Sequence, residues 1–405
     1  LFFFNLPFGW IGLKLFLEPY FLKSFYVEVL VLRRYKIAVL PGDGVGREVV
    51  PEAVKVLDAA ADVAGGFKLD YVEVPCGGMY YLEVGKEWPD DAFETCKEAD
   101  AILFGAVGWP KAVLPDGQLA GIRILLNIRF GLDLYANVRP AHLYEGVEPL
   151  APGKEKVDFV VVRENTEDLY ASIRGILDRG GVEDAAVDVR ILTRKGCERI
   201  IDYAFKMCLS RNGAPADGKR RVTCVDKSNV LDGCRFFRRV FDEVAARYPD
   251  VERDYVYVDA MTQWMIRAPE HYDVIVTTNM FGDILSDLSS VLIGGMGMAP
   301  SGNIGDRHAM FEPVHGTAPD IAGKNVANPI GSILSAKMML EWLAQRHSDD
   351  SCRRAAQLIE RGVAEVLAEG KVRTPDLCRG KYVSVKPSRT SEVGDAITRK
   401  IEKQK

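Results

Sequence analysis

From Tyr35 onward the chain alternates short β-branched apolar runs, each ending in polar or charged residues, with longer stretches of helical spacing. YKIAVL (35–40) reads as a buried strand and runs straight into PGDGVG. Residues 48–61 then repeat their apolar positions as a helix does. Further strands are predicted at 70–74, 100–108, 158–165, 220–230, 254–261 and 272–283, and further helices at 240–247, 283–292 and 332–343. Such alternation leaves few folds open: it predicts an α/β chain with a largely parallel sheet. In open sheets of that kind, ligands sit outside the carboxyl ends of the strands. The residues just past VVV, TCV, YVYV and VIV are therefore the first places to look for chemistry.

Composition narrows the function classes. With 405 residues, 48% apolar and 27% charged, the chain can bury a core and has room for one large domain or several ordinary ones. Its net charge of −5 and pI near 5.7 argue against non-specific nucleic-acid binding. Eight cysteines are scattered without a C-x-x-C pair, and the five histidines include no H-E-x-x-H. Zinc and dithiol sites are thereby disfavoured, and reduced thiols in a cytoplasmic protein fit better than a disulfide framework. Residues 1–34 are far richer in Phe and Leu than the rest, yet Lys14, Glu18, Lys23 and Glu28 break any clean span of 18 apolar residues. They read as an upstream extension or an early start site rather than a membrane anchor, and are set aside from the fold.

Five groups of residues could carry chemistry. Pro41-Gly42-Asp43-Gly44-Val45-Gly46 has the look of a phosphate-binding turn before a helix, but lacks the dinucleotide and P-loop spacings; a plain glycine turn explains it equally well. Arg129, Arg139 and Arg163 stand near element ends, where guanidinium forks can clamp carboxylates or simply form surface ion pairs. Asp283 and Asp287 are spaced i, i+4 in FGDILSDL, so they share a helix face, and with Asp259 they could hold Mg²⁺ or Mn²⁺. Lys227 and Tyr170 could move protons. In FEPVHGTAPDIAGKNVANP (311–329), Asp320 could accept from ribose hydroxyls and repel a 2′-phosphate, and Asn328 could reach an adenine edge.

Taken together, PGDGVG, IRFGLDLYANVRP, VVRENTEDLY, VDKSNV, VDAM, TTNMFGDILSDL, GMAPSGNIGD and FEPVHGTAPDIAGKNVANP resemble, in order, the β-decarboxylating dehydrogenases, the family of isopropylmalate and isocitrate dehydrogenases. The resemblance runs from about Tyr35 to near the C-terminus. It implies a fold of two α/β domains around a mixed sheet, distinct from the Rossmann type. The larger domain would comprise 35–134 plus 294–405, and the smaller would comprise 135–293, with an arm (around 176–187) that helps build a homodimer. Active sites would be shared, so that Lys227 and Asp259 serve the neighbouring subunit. Arg129, Arg139 and Arg163 would clamp the malate carboxylates. Asp283, Asp287 and the partner's Asp259 would bind the divalent metal and, through it, the substrate. Lys227 and Tyr170 would be the catalytic base and acid. His315, Gly316, Thr317, Ala318, Pro319, Asp320 and Asn328 would hold the adenosine half of NAD.

The substrate is expected to be a 3-substituted malate. Leu125 and Leu126 match the paired leucines that meet an isopropyl group, and the Ser and Asn that isocitrate enzymes use are replaced here by Arg123 and Leu125. This points to 3-isopropylmalate. Ile122, the RENTED motif and Arg123, which could reach a distal carboxylate, keep homoisocitrate, isocitrate and D-malate or tartrate open. A non-catalytic regulatory subunit is the alternative of another class, but it would be expected to have lost at least one of these charged positions.

Overall fold

The computed structural model describes residues 3–6, 9–12, 32–150 and 152–404. The sequence reading of residues 1–34 falls largely outside these; within the part described, β1 (Phe3–Leu6) and β2 (Gly9–Gly12) pair as a two-stranded antiparallel ribbon. The body opens with β3 (Arg33–Gly42), α1 (Gly46–Ala64), β4 (Phe67–Glu73), α2 (Gly78–Val84), α3 (Ala92–Glu98), β5 (Ala101–Ala106) and α4 (Ile122–Gly131). The middle of the chain contributes β6 (Ala136–His142), β7 (Asp158–Glu164), β8 (Arg174–Asp178), β9 (Glu183–Asp188), α5 (Arg194–Ser210), β10 (Arg221–Asp226), α6 (Asp232–Ala245), β11 (Glu252–Tyr257), α7 (Val258–Arg267), β12 (Val274–Thr277) and α8 (Asn279–Leu292). The chain then returns through β13 (Pro300–Ile304), β14 (Ala309–Pro313), α9 (Ile330–His347), α10 (Asp350–Glu369) and α11 (Thr390–Glu402).

Ten strands form one sheet in the order β11-β10-β12-β7-β6-β13-β14-β5-β3-β4. The α/β expectation is met and the sheet is mixed, as the family resemblance implies; the largely parallel sheet read from residue alternation alone holds only toward its two ends. The first four strands run parallel to one another, as do the last four, and the two sets point in opposite directions. Three antiparallel pairings at the centre, β7–β6, β6–β13 and β13–β14, reverse the sense. The cause is long-range: β13 and β14 come from late in the chain and insert between strands made much earlier.

The helices cover both faces because their buried residues recur at helical spacing. On α1 these are Val49, Val50, Ala53, Val56, Leu57 and Ala60. β10 and β12 are buried along their whole length, as runs such as VTCV and VIVT require in a two-sided sheet. Helix ends carry the usual signals. Thr193 accepts from the Gly196 amide at the start of α5, and Asp349 accepts from the Ser351 amide at the start of α10, which ends on left-handed Gly370.

Two local expectations are refined. Residues 254–261 do not form one strand: β11 ends at Tyr257 and α7 begins at Val258, so Asp259 lies in a helix's first turn, where its charge suits the helix dipole. Residues 176–187 form part of the antiparallel hairpin β8–β9, whose eleven strand residues are all exposed, as a projecting arm would be. Among the described residues no helix is long and apolar enough to cross a membrane. All eight cysteines are free thiols, and all but Cys378 are buried.

Strand alternation at the centre gives the sheet two different faces. On one, Val138, Pro140, Ile304 and Phe311 line a groove of about 500 Å³. On the other, Asn137, Arg139, Ser301, Asn303 and Glu312 underlie the candidate active site. The ligand face is thus a strand surface as well as a set of strand ends, a departure from the simple parallel-sheet rule that follows from the antiparallel centre.

Candidate active site

A cleft of about 460 Å³ lies over this polar face. Its walls include Leu125, Leu126 and Arg129 from α4, Arg139 from β6, Arg163 from β7, Tyr170 from the turn after β7, Asp283 from α8, and His315 and Gly316 from the loop after β14. Residues up to 212 positions apart in sequence, Phe104 to Gly316, are therefore gathered here.

The three arginines are held, not loose. Arg129 donates to Glu312 at 2.8 Å, and both side chains are less than a tenth exposed. Arg139 donates to Ser286 at 2.8 Å and pairs with Asp287 at 3.1 Å. Arg163 donates to Asn279 at 2.9 Å and pairs with Asp283. Burial, and for Arg163 next the charge of Arg139, pushes the Arg139 and Arg163 guanidiniums below the usual arginine range. Three clustered cations that repel one another make a site that gains from a bound dianion. The buried Nε donors of Arg129 and Arg139 have no partner among the described residues.

The acidic pair sits where the spacing predicted, one helical turn apart on α8. Burial would raise the Asp283 carboxyl, but Arg163 and Arg139 more than offset it and hold it low. Asp287 is pushed up, first by burial and, against Arg139, by the neighbouring Asp283 charge. Two carboxylates kept close in a partly dry site, beside a substrate clamp, fit a hard divalent cation, which takes one or two protein carboxylates and completes its shell from substrate and water. No cluster of three or more His, Cys, Asp or Glu occurs among the described residues. Asp259 is elsewhere: it pairs with Lys227 at 2.6 Å in an exposed position at the far edge of the sheet, and neither lines its own chain's cleft. Tyr170, by contrast, is in place. Its hydroxyl donates to Asp283 at 2.7 Å, and burial, then Asp283, raises its pKa.

The glycine turn proves to be scaffolding. The amides of Asp43, Val45 and Gly46 are spent on the carbonyls of Ala106, Thr317 and Asp43, so no phosphate cradle is left there. A Cβ on Gly44, which has φ +54°, would collide with the Thr317 carbonyl oxygen. The turn is a seat for the 315–320 loop. The fully buried Asp43 locks it by accepting from the amides of Gly78, Met79 and Gly108 at 2.7, 2.7 and 3.0 Å. In that loop, Ala318 has φ +41° and the exposed Asp320 is unpartnered among the described residues. Burial pushes the His315 imidazole below its ordinary value, and its Nε2 has no partner among the described residues. Asn328 is already committed: it donates to Asp376 at 3.0 Å and accepts from the Ile330 amide at the start of α9.

Sequence reasoning missed Glu312 and the amides behind it. Asn303 donates to Glu312 at 2.8 Å and accepts from Asn137 and Asn165 at 2.9 and 3.0 Å. The signal available was three polar residues at alternate, otherwise apolar strand positions. Arg123, considered for a distal carboxylate, instead pairs with Asp116 and does not line the cleft. Arg174, which drew no attention, does line it.

A family model described as isocitrate/isopropylmalate dehydrogenase matches residues 36–397. A 3-isopropylmalate/3-methylmalate dehydrogenase of Methanocaldococcus jannaschii is 43% identical over 346 residues, covering 85% of this chain and 94% of its own. A 3-isopropylmalate dehydrogenase of Aquifex aeolicus is 40% identical over 379 residues, covering 92% and 99%. The crystal structure of an isocitrate dehydrogenase from Methylococcus capsulatus superposes with a TM-score of 0.79 at 37% identity, covering 91% of this chain and 99% of that one. With the clamp, the acidic pair and the loop after β14 in place, these matches show that the chain belongs to the isocitrate/isopropylmalate dehydrogenase family of decarboxylating oxidoreductases.

Proposed function

We propose that the protein oxidises and decarboxylates 3-isopropylmalate to 4-methyl-2-oxopentanoate with NAD⁺ and Mg²⁺ or Mn²⁺, a step of leucine biosynthesis, in the cytoplasm. The observation that carries this reading is the pairing, in one cleft, of three buried arginines with an apolar wall of Leu125 and Leu126. The names of the relatives agree with it. Free, mostly buried cysteines suit a reducing compartment.

Arg129, Arg139 and Arg163 hold the two malate carboxylates and orient C2 and C3. When bound, NAD⁺ accepts the C2 hydride, and the divalent cation supplies positive charge against the C2 oxygen through oxidation and loss of CO₂. Asp283 and Asp287 would hold the cation, together with Asp259 of a second subunit. Lys227, also from that subunit, takes the C2 hydroxyl proton. Tyr170 gives a proton to C3 of the enolate; its raised pKa keeps it a donor at neutral pH. The 315–320 loop and Asn328 take the adenosine half of NAD, with Asp320 disfavouring a 2′-phosphate. Because the Asn328 side chain is occupied, its contact to adenine falls to the backbone or follows release of Asp376.

A homodimer is supported by Lys227 and Asp259 lying off their own cleft. It is supported too by Trp264, Ile284 and Val291, which leave α7 and α8 with exposed apolar side chains. We divide each subunit as 35–134 plus 294–405 and 135–293.

The test is NADH formation with Mg²⁺ against 3-isopropylmalate, homoisocitrate, isocitrate, D-malate and tartrate. A kcat/KM for 3-isopropylmalate at least ~10²-fold above the others is expected. Preference for another member refutes the substrate, and no activity on any refutes the enzyme reading in favour of a regulatory one.

A further inference from the structure

Resting on that reading, we infer that Asp168 and Arg190 are positioning residues for the proton donor Tyr170, and that their clamp fixes the short turn carrying Tyr170 against the start of α8. Tyr170 lies in a single helical turn, Leu169–Ala171, flanked by two non-glycine residues of positive φ, Asp168 at +68° and Ser172 at +59°. With its ψ of −144°, Asp168 adopts a backbone conformation that glycine takes freely and a Cβ opposes. A strained residue of this kind persists only where its surroundings hold it. Asp168 is fully buried, and its bonds do the holding. Its amide donates to the Ile191 carbonyl at 2.8 Å, one carboxylate oxygen accepts from the Met280 amide at 3.1 Å, and the other pairs with Arg190.

Arg190 spreads that hold over the neighbouring elements. It donates to the hydroxyl of Thr278, the residue before α8, at 2.8 Å and to the Cys234 sulfur on α6 at 3.1 Å, and its guanidinium lies 4.9 Å from the centre of the Phe281 ring. Thr278, Met280 and Phe281 belong to the start of α8, and Tyr170 meets the same helix further on, where its hydroxyl donates to Asp283. The turn is thus fastened to α8 at two points, through Asp168 and through Tyr170 itself. The Met280 amide is one of the helix-start donors that have no partner within the helix, so the Asp168 carboxylate satisfies it and faces the positive end of the helix dipole. Arg190 has one further tie. It lies two residues past the β8–β9 arm, whose roots meet where the Val189 amide donates to the Ile173 carbonyl at 2.9 Å. Neither Asp168 nor Arg190 lines the cleft, so the pair acts through Tyr170 rather than on the substrate.

The experiment follows NADH formation by the full chain with NAD⁺, Mg²⁺ and whichever 3-substituted malate wild type turns over, so a wrong substrate leaves the comparison intact. Asp168→Gly, Arg190→Met and Arg190→Lys are made in the wild-type chain and in Tyr170→Phe. Asp168→Gly removes the carboxylate while relieving the backbone, so its urea midpoint should hold. We expect Asp168→Gly and Arg190→Met to lower kcat ~10-fold or more with the KM for the malate changed by less than ~3-fold, and Arg190→Lys to recover part of the loss. Hydride transfer precedes delivery of the proton to C3, so the first-turnover rate of NADH formation should stay within ~2-fold of wild type. In Tyr170→Phe the same substitutions should change kcat by less than ~2-fold, since the group they position is gone. Equal losses in the two backgrounds overturn the inference. So does a loss carried by KM, by a slower first turnover, or only by variants with a lowered urea midpoint. Tyr170→Phe with wild-type kcat, or wild type that turns over no malate, refutes the reading above and this inference with it. A slow Tyr170→Phe with equal losses in both backgrounds refutes this inference alone.

Discussion

Glu312→Gln removes one charge from the clamp and almost nothing from its shape. The 2.8 Å contact between Arg129 and Glu312 is buried on both sides. At an effective dielectric of about 20, two unit charges at that separation attract by about 6 kcal/mol. Part of this is returned, because glutamine is cheaper to desolvate and its Oε1 can still accept from Arg129 and Asn303. What remains is a buried guanidinium with Arg139 and Arg163 beside it and no counter-charge. Breaking such a pair costs ~3–5 kcal/mol in a closed core, and about 2–4 kcal/mol is expected beside an open cleft. The assay is the urea midpoint at fixed protein concentration, with and without 3-isopropylmalate. The free variant should unfold at lower urea. Substrate carboxylates should then supply the missing charge, so ligand at ~100 Kd should stabilise the variant by about 2.7 kcal/mol. Turnover should fall ~10-fold or more, since Arg129 has lost its tether. A free variant as stable as wild type, with unchanged kcat/KM, would show that something other than Glu312 holds Arg129 and would refute the argument.

Three further outcomes are expected. Lys227→Ala and Asp283→Asn should each be inactive, yet mixing and refolding the two should restore roughly a quarter of wild-type activity if subunits share sites, because half the dimers then carry one intact cleft; no recovery would place Lys227 in its own chain's site. Gly44→Ala should raise KM for NAD⁺ and cost ~1–3 kcal/mol of stability, measured by saturation kinetics and denaturation, since its φ of +54° and the Thr317 carbonyl both oppose a Cβ. Burial raises the Glu360 carboxyl, but Lys337 and Tyr144 outweigh it and hold it low; burial lowers Lys337, but Glu341 and Glu360 outweigh it and hold it high. The Glu360 contribution is therefore complete above the ordinary carboxylate range and lost as pH falls through the folded value, and the Lys337 contribution is complete below the ordinary lysine range and lost as pH rises through its raised value. Glu360→Gln should cost ~1–2 kcal/mol near pH 7, and the cost should shrink toward none as pH falls through the lowered folded value of Glu360, as read from denaturation at a series of pH values.

Much of the site could be read because its residues travel in motifs whose spacing is local. The i, i+4 spacing of Asp283 and Asp287 puts them on one helix face, and Leu125 and Leu126 lie in the helical stretch leading to Arg129; α8 and α4 carry them in this way. Seven strands of the two parallel sets, β3, β4, β5, β7, β10, β11 and β12, were legible for the same reason, since each is a short apolar run. What could not be read depends on contacts across the chain. Glu312 meets Arg129 across 183 positions, and Asn303 meets Asn137 across 166, so no window of sequence contains either pair. The antiparallel centre was hidden because β13 (PSGNI) and β14 (AMFEP) are too short and too broken by Pro, Gly and polar residues to read as strands until their neighbours are known. Local pattern also cannot tell a glycine turn that binds phosphate from one that seats a loop, because both require the same absent side chain. Only the spent amides of Asp43, Val45 and Gly46 separate the two.

The two-faced centre of the sheet turns β6 into a ruler for mutational effects. Asn137 and Arg139 look toward the cleft, while Val138 and Pro140 look toward the groove on the other side of the same backbone. Neighbouring positions are thus one peptide apart in sequence and a full sheet thickness apart in consequence. A saturation scan through β6 should show phenotypes alternating with a period of two: changes at 137 and 139 scored in turnover by folded protein, and changes at 138 and 140 scored in the amount of protein that survives.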